Sequence, residues 1–155
     1  MPKTTPLQLD AWSVDDPQAQ VTLLVSSTQA ATRCPACETL ARHVHSRYTR
    51  TLADLPWSGY RVTWRLRVRK FFCRHPTCPR HIFTERLPGL VAPWARRTLR
   101  LAARLLALGL ALGGAAGVRL SRHFGFLGSR NTLLRVIRRT PCPAISSPQV
   151  LSVDE

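Results

Sequence analysis

The chain has 155 residues, a formal net charge of +15 and a pI of about 11.5. This length allows one ordinary domain or two small modules, and small modules often need a metal ion or a partner for stability. Almost all of the positive charge comes from arginine, whose guanidinium group matches the hydrogen-bonding geometry of phosphate and of guanine edges, so nucleic acid is the first expected partner. A membrane surface or an acidic protein is the alternative. The N-terminus lacks the apolar segment of a signal peptide, so we expect the five cysteines to be cytosolic thiols, in which close pairs favour a metal over a disulfide.

Residues 1–18 are polar and contain three prolines, so we predict a poorly fixed lead-in there. Residues 19–26 are short and β-branched and predict a first strand whose edge pairs with later strands. Residues 44–55 predict a second strand, and Pro56-Trp57-Ser58-Gly59 predicts the turn that follows it.

The stretch YRVTWRLRVRKFFCRHPTC over 60–78 predicts a long strand with two different faces. Val62, Trp64, Leu66 and Val68 alternate with arginines, so one face is apolar and the other cationic. We expect a core beneath the first face and a polyanion on the second. The expected DNA-contacting arginines of this strand are Arg61, Arg65, Arg67 and Arg69.

Two close pairs of cysteines enclose the predicted hairpin, Cys34 with Cys37 and Cys73 with Cys78. Four thiolates on two tight turns predict a structural tetrahedral zinc site with no open position for catalysis. Buried free thiols are the alternative, and a redox dithiol is disfavoured because no βαβ unit surrounds the pairs. His75 is the best substitute ligand among the nearby histidines. Cys142 stands alone and is predicted to be an inert thiol.

Residues 93–139 carry arginines without any acidic residue and predict three short helices. The first, over 94–108, is amphipathic with a cationic stripe. Gly113-Gly114 is expected to break it, a second helix covers 115–124, and Ser129 caps a third. The apolar run 105–118 is too short for a membrane helix. Three short helices with a glycine-bearing turn before the last predict a helix-turn-helix module.

The predicted fold class is therefore α+β, with a small zinc-ribbon-like antiparallel β module over 19–86 followed by a three-helix helix-turn-helix module over 93–139. In such modules the start of the last helix reaches base edges while basic residues elsewhere hold phosphates. The expected contacts in this half are Arg96, Arg100, Arg104, Ser129, Arg130, Asn131, Arg135, Arg138 and Arg139.

Four stretches occur in a characteristic order: HSRYTRTLADLPWSGYRVTWRLRVRKFFC, CPRHIFTERLPGLVAPWARRT, GGAAGVRLSRHF and SRNTLLRVIRR. Over about residues 30–155 they resemble the N-terminal half of the ISL3 family of bacterial insertion-sequence transposases. The resemblance implies a zinc finger and a helix-turn-helix that bind the terminal inverted repeats of the element, ahead of an RNase H-like catalytic domain with three acidic residues. The closing Val153-Asp154-Glu155 is similar to the family's Val-Asp-acid motif, which makes Asp154 the counterpart of the first catalytic acid. Glu38 and Ser152 stand where the family has glycine.

One carboxylate cannot hold a two-metal site, so the chain as it stands is predicted not to be an enzyme. Residues 140–155 are then a linker and the start of a missing catalytic domain. The expected cofactor is structural zinc. The expected partner is double-stranded DNA, with full-length transposase or self-association as second partners and no membrane, in the bacterial cytoplasm at the nucleoid. The alternatives are a stand-alone repressor of transposition and an RNA-binding zinc ribbon.

Overall fold

The computed structural model describes residues 6–126 and 128–141. Asp154, Cys142 and nearly all of the predicted linker lie outside these residues. The described part contains seven strands and two helices: β1 Leu7–Asp15, β2 Gln20–Ser27, β3 Thr32–Arg33, β4 Leu40–Ala41, β5 Val44–Ala53, β6 Arg61–Phe72, β7 Ile82–Thr84, α1 Leu99–His123 and α2 Arg130–Arg138.

A five-stranded sheet has the order β1-β2-β6-β5, and β7 pairs with the end of β6; β3 and β4 form a separate ribbon. The tight turn between β5 and β6 makes this pair antiparallel, as predicted. However, β2 runs parallel to β6, so the prediction of a purely antiparallel module is wrong. Because β5 pairs with one edge of β6, β2 pairs with the other edge. The connection from β2 to β6 includes the β3–β4 ribbon and β5, and it is long enough for a parallel pair.

Two hydrophobic clusters lie on opposite faces of β6. Leu66 and Val68 belong to a cluster that the segment 87–91 covers, whereas Phe71 belongs to a cluster with the four cysteines. Successive residues of a strand point to opposite faces, so the even-numbered Leu66 and Val68 belong to one cluster and the odd-numbered Phe71 to the other. The apolar and cationic faces predicted for this strand are confirmed, and Arg65 and Arg67 are exposed on the face that carries Phe71.

Strand β1 lies within the stretch for which the sequence predicts a poorly fixed lead-in. It pairs antiparallel with β2 from Leu7 to Asp15, with a register shift between Leu9 and Ala11. Its side chains are almost all exposed, including Trp12. Backbone pairing rather than burial therefore fixes this strand, and a pattern based on apolar residues does not detect it.

The predicted three-helix helix-turn-helix module is wrong. The sheet dominates the described residues, which contain only two helices, and the first of them is 25 residues long. The break predicted at Gly113-Gly114 is present as a kink: Gly113 leaves helical geometry, with φ 69° and ψ −168°, and the helical segments on its two sides join there as α1. The N-cap predicted at Ser129 is confirmed, since its hydroxyl accepts a hydrogen bond from the Thr132 backbone N–H at 3.2 Å.

Two other glycines of α1, Gly109 and Gly117, allow α1 and α2 to approach closely. A Cβ atom added to Gly109 would lie 2.9 Å from Ile137 Cδ1, and one added to Gly117 would lie 3.0 Å from Leu133 Cδ1. Leu133 is fully buried in a cluster with residues of α1. Close packing against α2, and not a turn, explains these two glycines.

Helix α1 is long and apolar enough to cross a membrane by length and composition, and 28% of its most apolar window is buried. Core helices of soluble proteins pass the same test, so this is weak evidence for a membrane. The predicted run of 105–118 is thus part of a longer helix, and the absence of a membrane partner stays a prediction.

Candidate metal centre and cationic surfaces

The first knuckle, residues 34–39, connects β3 to β4. The Cys34 backbone N–H donates to the Thr39 carbonyl at 3.0 Å, and the Glu38 N–H donates to the Cys34 carbonyl at 2.9 Å. Glu38 adopts φ 59°, in the left-handed region that favours glycine. The turn that brings Cys34 and Cys37 together is thus closed by two backbone hydrogen bonds and carries local strain at Glu38.

The second knuckle, residues 73–78, follows β6 directly. The Cys73 N–H donates to the His81 carbonyl at 2.8 Å, and the Cys78 N–H donates to the His75 carbonyl at 3.2 Å. The Arg80 backbone N–H donates to Cys78 Sγ at 3.4 Å. Backbone donors of this kind stabilise a thiolate, as a metal-bound cysteine requires.

The four sulfur atoms all lie within 4.8 Å of one another. The Sγ atoms of Cys34 and Cys78 are 3.9 Å apart, and those of Cys37 and Cys73 are 3.5 Å apart. Four sulfurs at about 2.3 Å from a tetrahedral zinc ion would lie about 3.8 Å from one another. The four cysteines therefore fit a structural zinc ion, with every ligand position filled by sulfur.

The ionisation of the cysteines agrees with a cation site. The hydrogen bonds from the Thr39 side chain and backbone lower the pKa of Cys37 to about 6. A backbone hydrogen bond from His75 lowers the pKa of Cys73, but burial and the neighbouring cysteines outweigh it and raise this pKa to about 12. Four crowded thiols cannot all lose their protons alone, whereas a divalent cation stabilises four thiolates together.

The structure also places the histidine considered as a substitute ligand. His75 is exposed, and its Nδ1 forms a hydrogen bond with Thr77 Oγ1 at 3.1 Å. Among the described residues the metal-binding group consists of four cysteines and contains no histidine. The carboxylates of Glu38 and Glu85 are not part of it either, so the site has structural chemistry and no open coordination position.

Two cysteine knuckles joined through a β-hairpin, with four sulfurs around one point, define a zinc ribbon with a structural zinc site. Residues 30–79 match a family model described as the zinc-finger of transposase IS204/IS1001/IS1096/IS1165. This match supports the ISL3 transposase family, and it includes all four cysteines. Neither the curated proteins nor the solved structures give a match to this chain.

The arginines predicted on β6 fall into two groups. Arg65 and Arg67 are exposed. Arg69 is instead held by the buried Glu85, with Nη2 2.9 Å from Oε2. Arg61 is half-buried and donates to the Gln18 carbonyl at 3.0 Å. Of these four arginines, only Arg65 and Arg67 are therefore both exposed and available for contact with a partner.

The arginines at the start of α1 are also in different environments. Arg96 and Arg104 are exposed. Arg100 is paired with Asp54 at the end of β5, with Nε 2.7 Å from Oδ1, and lies over the Trp64 ring at 5.8 Å. Arg100 thus joins the helix to the sheet.

Helix α2 exposes the remaining predicted contacts, which are Ser129, Arg130, Asn131, Arg135, Arg138 and Arg139. Arg97, which was not among the predicted contacts, approaches this group. Its Nη1 atom is buried and has no hydrogen-bond partner within residues 6–126 and 128–141. Burial and the positive charges of Arg135 and Arg139 lower the pKa of Arg97. The charges that act on Arg97 come from residues distant along the chain, and the adjacent Arg96-Arg97 pair was the only signal in the sequence.

Proposed function

We propose that this chain is the DNA-binding part of an insertion-sequence transposase, which recognises the terminal inverted repeats of its element as double-stranded DNA. The observation that carries the proposal is the zinc ribbon itself: its four cysteines are arranged for zinc, and its sequence matches the zinc finger of a transposase family. A transposase zinc finger also suggests a cytoplasmic protein. Cutting and joining of DNA is not assigned to the described residues.

Two exposed arginines next to the zinc ribbon support contact with a duplex backbone. Arg65 and Arg67 lie on the same face of β6 as Phe71, whose ring packs in the cysteine cluster. Their neighbours across the β5–β6 pair are Thr51 and Thr49, which are small and exposed. The zinc ribbon therefore supports one end of a rigid strand that presents two guanidinium groups on a low surface, as phosphate contacts require.

The Arg97 cluster supports a second phosphate contact. Three cations, Arg97, Arg135 and Arg139, lie close enough to affect one another, and none of the described residues accepts a hydrogen bond from Arg97 Nη1. Positive charges this close repel one another, and a phosphate bound beside the exposed Arg135 and Arg139 would supply the opposite charge. We assign Arg135, Arg138 and Arg139 to the DNA backbone and the exposed Arg130 and Asn131 to base edges.

The test measures binding of the zinc-loaded chain to duplexes by fluorescence anisotropy over a series of salt concentrations. One duplex carries the terminal inverted repeat of an element of the matched family, and the other has the same composition in scrambled order. We expect tighter binding to the repeat. Arg65→Gln and Arg67→Gln each remove one proposed phosphate partner, so each should reduce the slope of log K against log salt by about 0.9.

Arg122→Gln is the matched control, because Arg122 is exposed on α1 and belongs to neither proposed contact group. Arg130→Gln or Asn131→Ala should reduce the preference for the repeat over the scrambled duplex. Equal affinity for repeat and scrambled duplexes in the unsubstituted chain would refute recognition of the repeat. Tighter binding to structured RNA at equal salt would favour the RNA-binding alternative.

A further inference from the structure

Trp94 has an unusual position for the largest apolar side chain. It is 88% exposed, and its backbone has φ 61°, a left-handed conformation that non-glycine residues rarely adopt. Two hydrogen bonds fix the backbone that follows it. Arg50 Nη2 donates to the Ala95 carbonyl at 2.6 Å, and the Ala53 N–H donates to the Arg96 carbonyl at 2.9 Å. The fold thus holds an indole ring in solvent at a cost in backbone strain.

The indole lines a groove with a volume of about 1000 Å³ between the sheet and the segment 80–96. It is lined by Val68 and Lys70, on the face of β6 opposite to Arg65 and Arg67, and by Thr63 nearer the start of the strand. A second exposed aromatic residue, Tyr48, also lines it. The groove therefore combines two aromatic rings with apolar side chains such as Val68, Leu87 and Val91.

The charge of the groove is strongly positive. Its charged lining residues are Arg50, Lys70, Arg80, Arg86, Arg96 and Glu85. Glu85 is the single acid among these six, and its carboxylate already pairs with Arg69. Lys70 Nζ lies 5.4 Å from the centre of the Tyr48 ring, so a cation and an aromatic ring are adjacent in the groove. An occupant needs several negative charges together with flat surfaces that can stack.

We propose that this groove binds an unpaired strand of DNA, with a base stacked on Trp94 and the phosphates held by the surrounding arginines. Aromatic platforms inside cationic grooves are the general means by which proteins hold single strands, because every base offers a flat face. A base pair within a duplex hides these faces from a protruding indole. This inference rests on the proposed DNA-binding function and adds a second substrate, an opened strand, on the opposite face of the sheet.

The experiment compares the affinity of the zinc-loaded chain for a thymidine oligonucleotide and for a duplex, by anisotropy and by tryptophan fluorescence. Trp94→Gly removes the ring and suits the left-handed backbone, while Trp94→Phe keeps a stacking ring. Trp57→Phe is the control, since Trp57 is 67% exposed but does not line the groove. Zinc content and circular dichroism verify folding of each variant.

Stacking of one base contributes about 1–3 kcal/mol, so Trp94→Gly should weaken binding of the single strand at least about fivefold. Trp94→Phe should restore most of this loss, Trp57→Phe should change nothing, and duplex affinity should stay within about twofold. Arg96→Gln should weaken the single strand and reduce its salt slope by about 0.7.

The results that overturn the inference differ from those that overturn the proposed function. Unchanged affinity of Trp94→Gly for the single strand, with salt-dependent duplex binding intact, refutes the groove assignment alone. An equal loss for single strand and duplex refutes stacking as the role of Trp94. Tighter binding of a ribonucleotide strand of the same sequence refutes the assignment to DNA. Failure to bind either form of DNA refutes both proposals.

Discussion

Asp54 is predicted to connect the sheet to the helical half, and Asp54→Asn tests this connection. The Asp54 carboxylate is fully buried at the end of β5. It accepts a hydrogen bond from Thr98 Oγ1 at 2.6 Å and a bidentate pair of hydrogen bonds from Arg100. Thr98 is the N-cap of α1, so one carboxylate contacts both the cap and the first turn of this helix.

The expected loss of stability follows from these partners. Hydrogen bonds to charged groups contribute about 1.5–3 kcal/mol each, but the Arg100 side chain is 60% exposed and water would replace part of its interaction. Asparagine keeps one oxygen for Thr98 and turns an amide N–H₂ towards Arg100. We therefore expect a decrease of about 2–3 kcal/mol in the free energy of unfolding, or roughly 5–10 °C in Tm.

The pH dependence gives a second measure of the same contact. Burial raises the pKa of Asp54, but the hydrogen bonds from Arg100, Thr98 and Leu55 and the charge of Arg100 outweigh it and lower this pKa below its ordinary value of 3.8. A carboxyl group whose pKa is lowered in the folded state contributes its full stabilisation above the unfolded pKa. This stabilisation is lost as the pH falls through the folded pKa. The difference in the free energy of unfolding between wild type and Asp54→Asn should therefore be constant near neutral pH and should decrease as the pH falls below 3.8.

Thermal unfolding followed by circular dichroism at several pH values measures both effects. Asp10→Asn is the control, because Asp10 is exposed and the substitution changes the net charge equally. Its Tm should change little, since exposed substitutions of this kind have effects within about 0.5 kcal/mol. Equal Tm values for Asp54→Asn and wild type, or a difference that persists unchanged at low pH, would refute the reasoning.

Three further predictions concern the zinc ribbon and the helices. A chelator, or Cys73→Ser, should remove zinc and unfold the ribbon, and zinc affinity should fall as the pH is lowered because protons compete for the thiolates. Cys142→Ser is the control. An unchanged circular dichroism spectrum after removal of zinc would contradict the structural role of the metal. Glu38→Gly should stabilise the zinc-loaded chain by about 0.5–1 kcal/mol in denaturant unfolding because it relieves the left-handed backbone, whereas Glu38→Gln, which keeps the strain, should not. Leu133→Ala should cost about 2–5 kcal/mol and reduce the helical signal, while Leu110→Ala, at a position that is 64% exposed, should leave both near wild type.

The β module shows which features a sequence pattern can predict. The alternation along β6 and the turn at 56–59 depend on neighbouring residues, so local periodicity predicts them well. The four cysteines were equally accessible to prediction, because zinc binding requires particular residue types in close pairs. The parallel pairing of β2 with β6 involves residues such as Val25 and Leu66, which are distant along the chain, and no local pattern encodes their partnership.

The helical half shows the opposite case. Glycines such as Gly109 and Gly117 break isolated helices, but in this fold they give space to Ile137 and Leu133 of α2. Tertiary packing therefore overrides local propensity at these two positions. The break predicted at Gly113-Gly114 is a kink within α1, so the described residues contain two helices. Likewise, the counterions of Arg69 and Arg100 lie on other elements, so the sequence could not distinguish these structural arginines from the exposed Arg65 and Arg67.

The parallel β2–β6 pair has a consequence for how this chain acquires its structure. The hairpin of β5 and β6 involves contacts that are local in sequence and can form early. Strand β2, in contrast, can pair with β6 only after β3, β4 and β5, which lie between them in sequence, have been made. During this interval β2 exposes a β-branched edge that can pair with another nascent chain. Metal capture by the two knuckles shortens the effective loop between β2 and β6, so zinc supply during synthesis should favour correct pairing over aggregation.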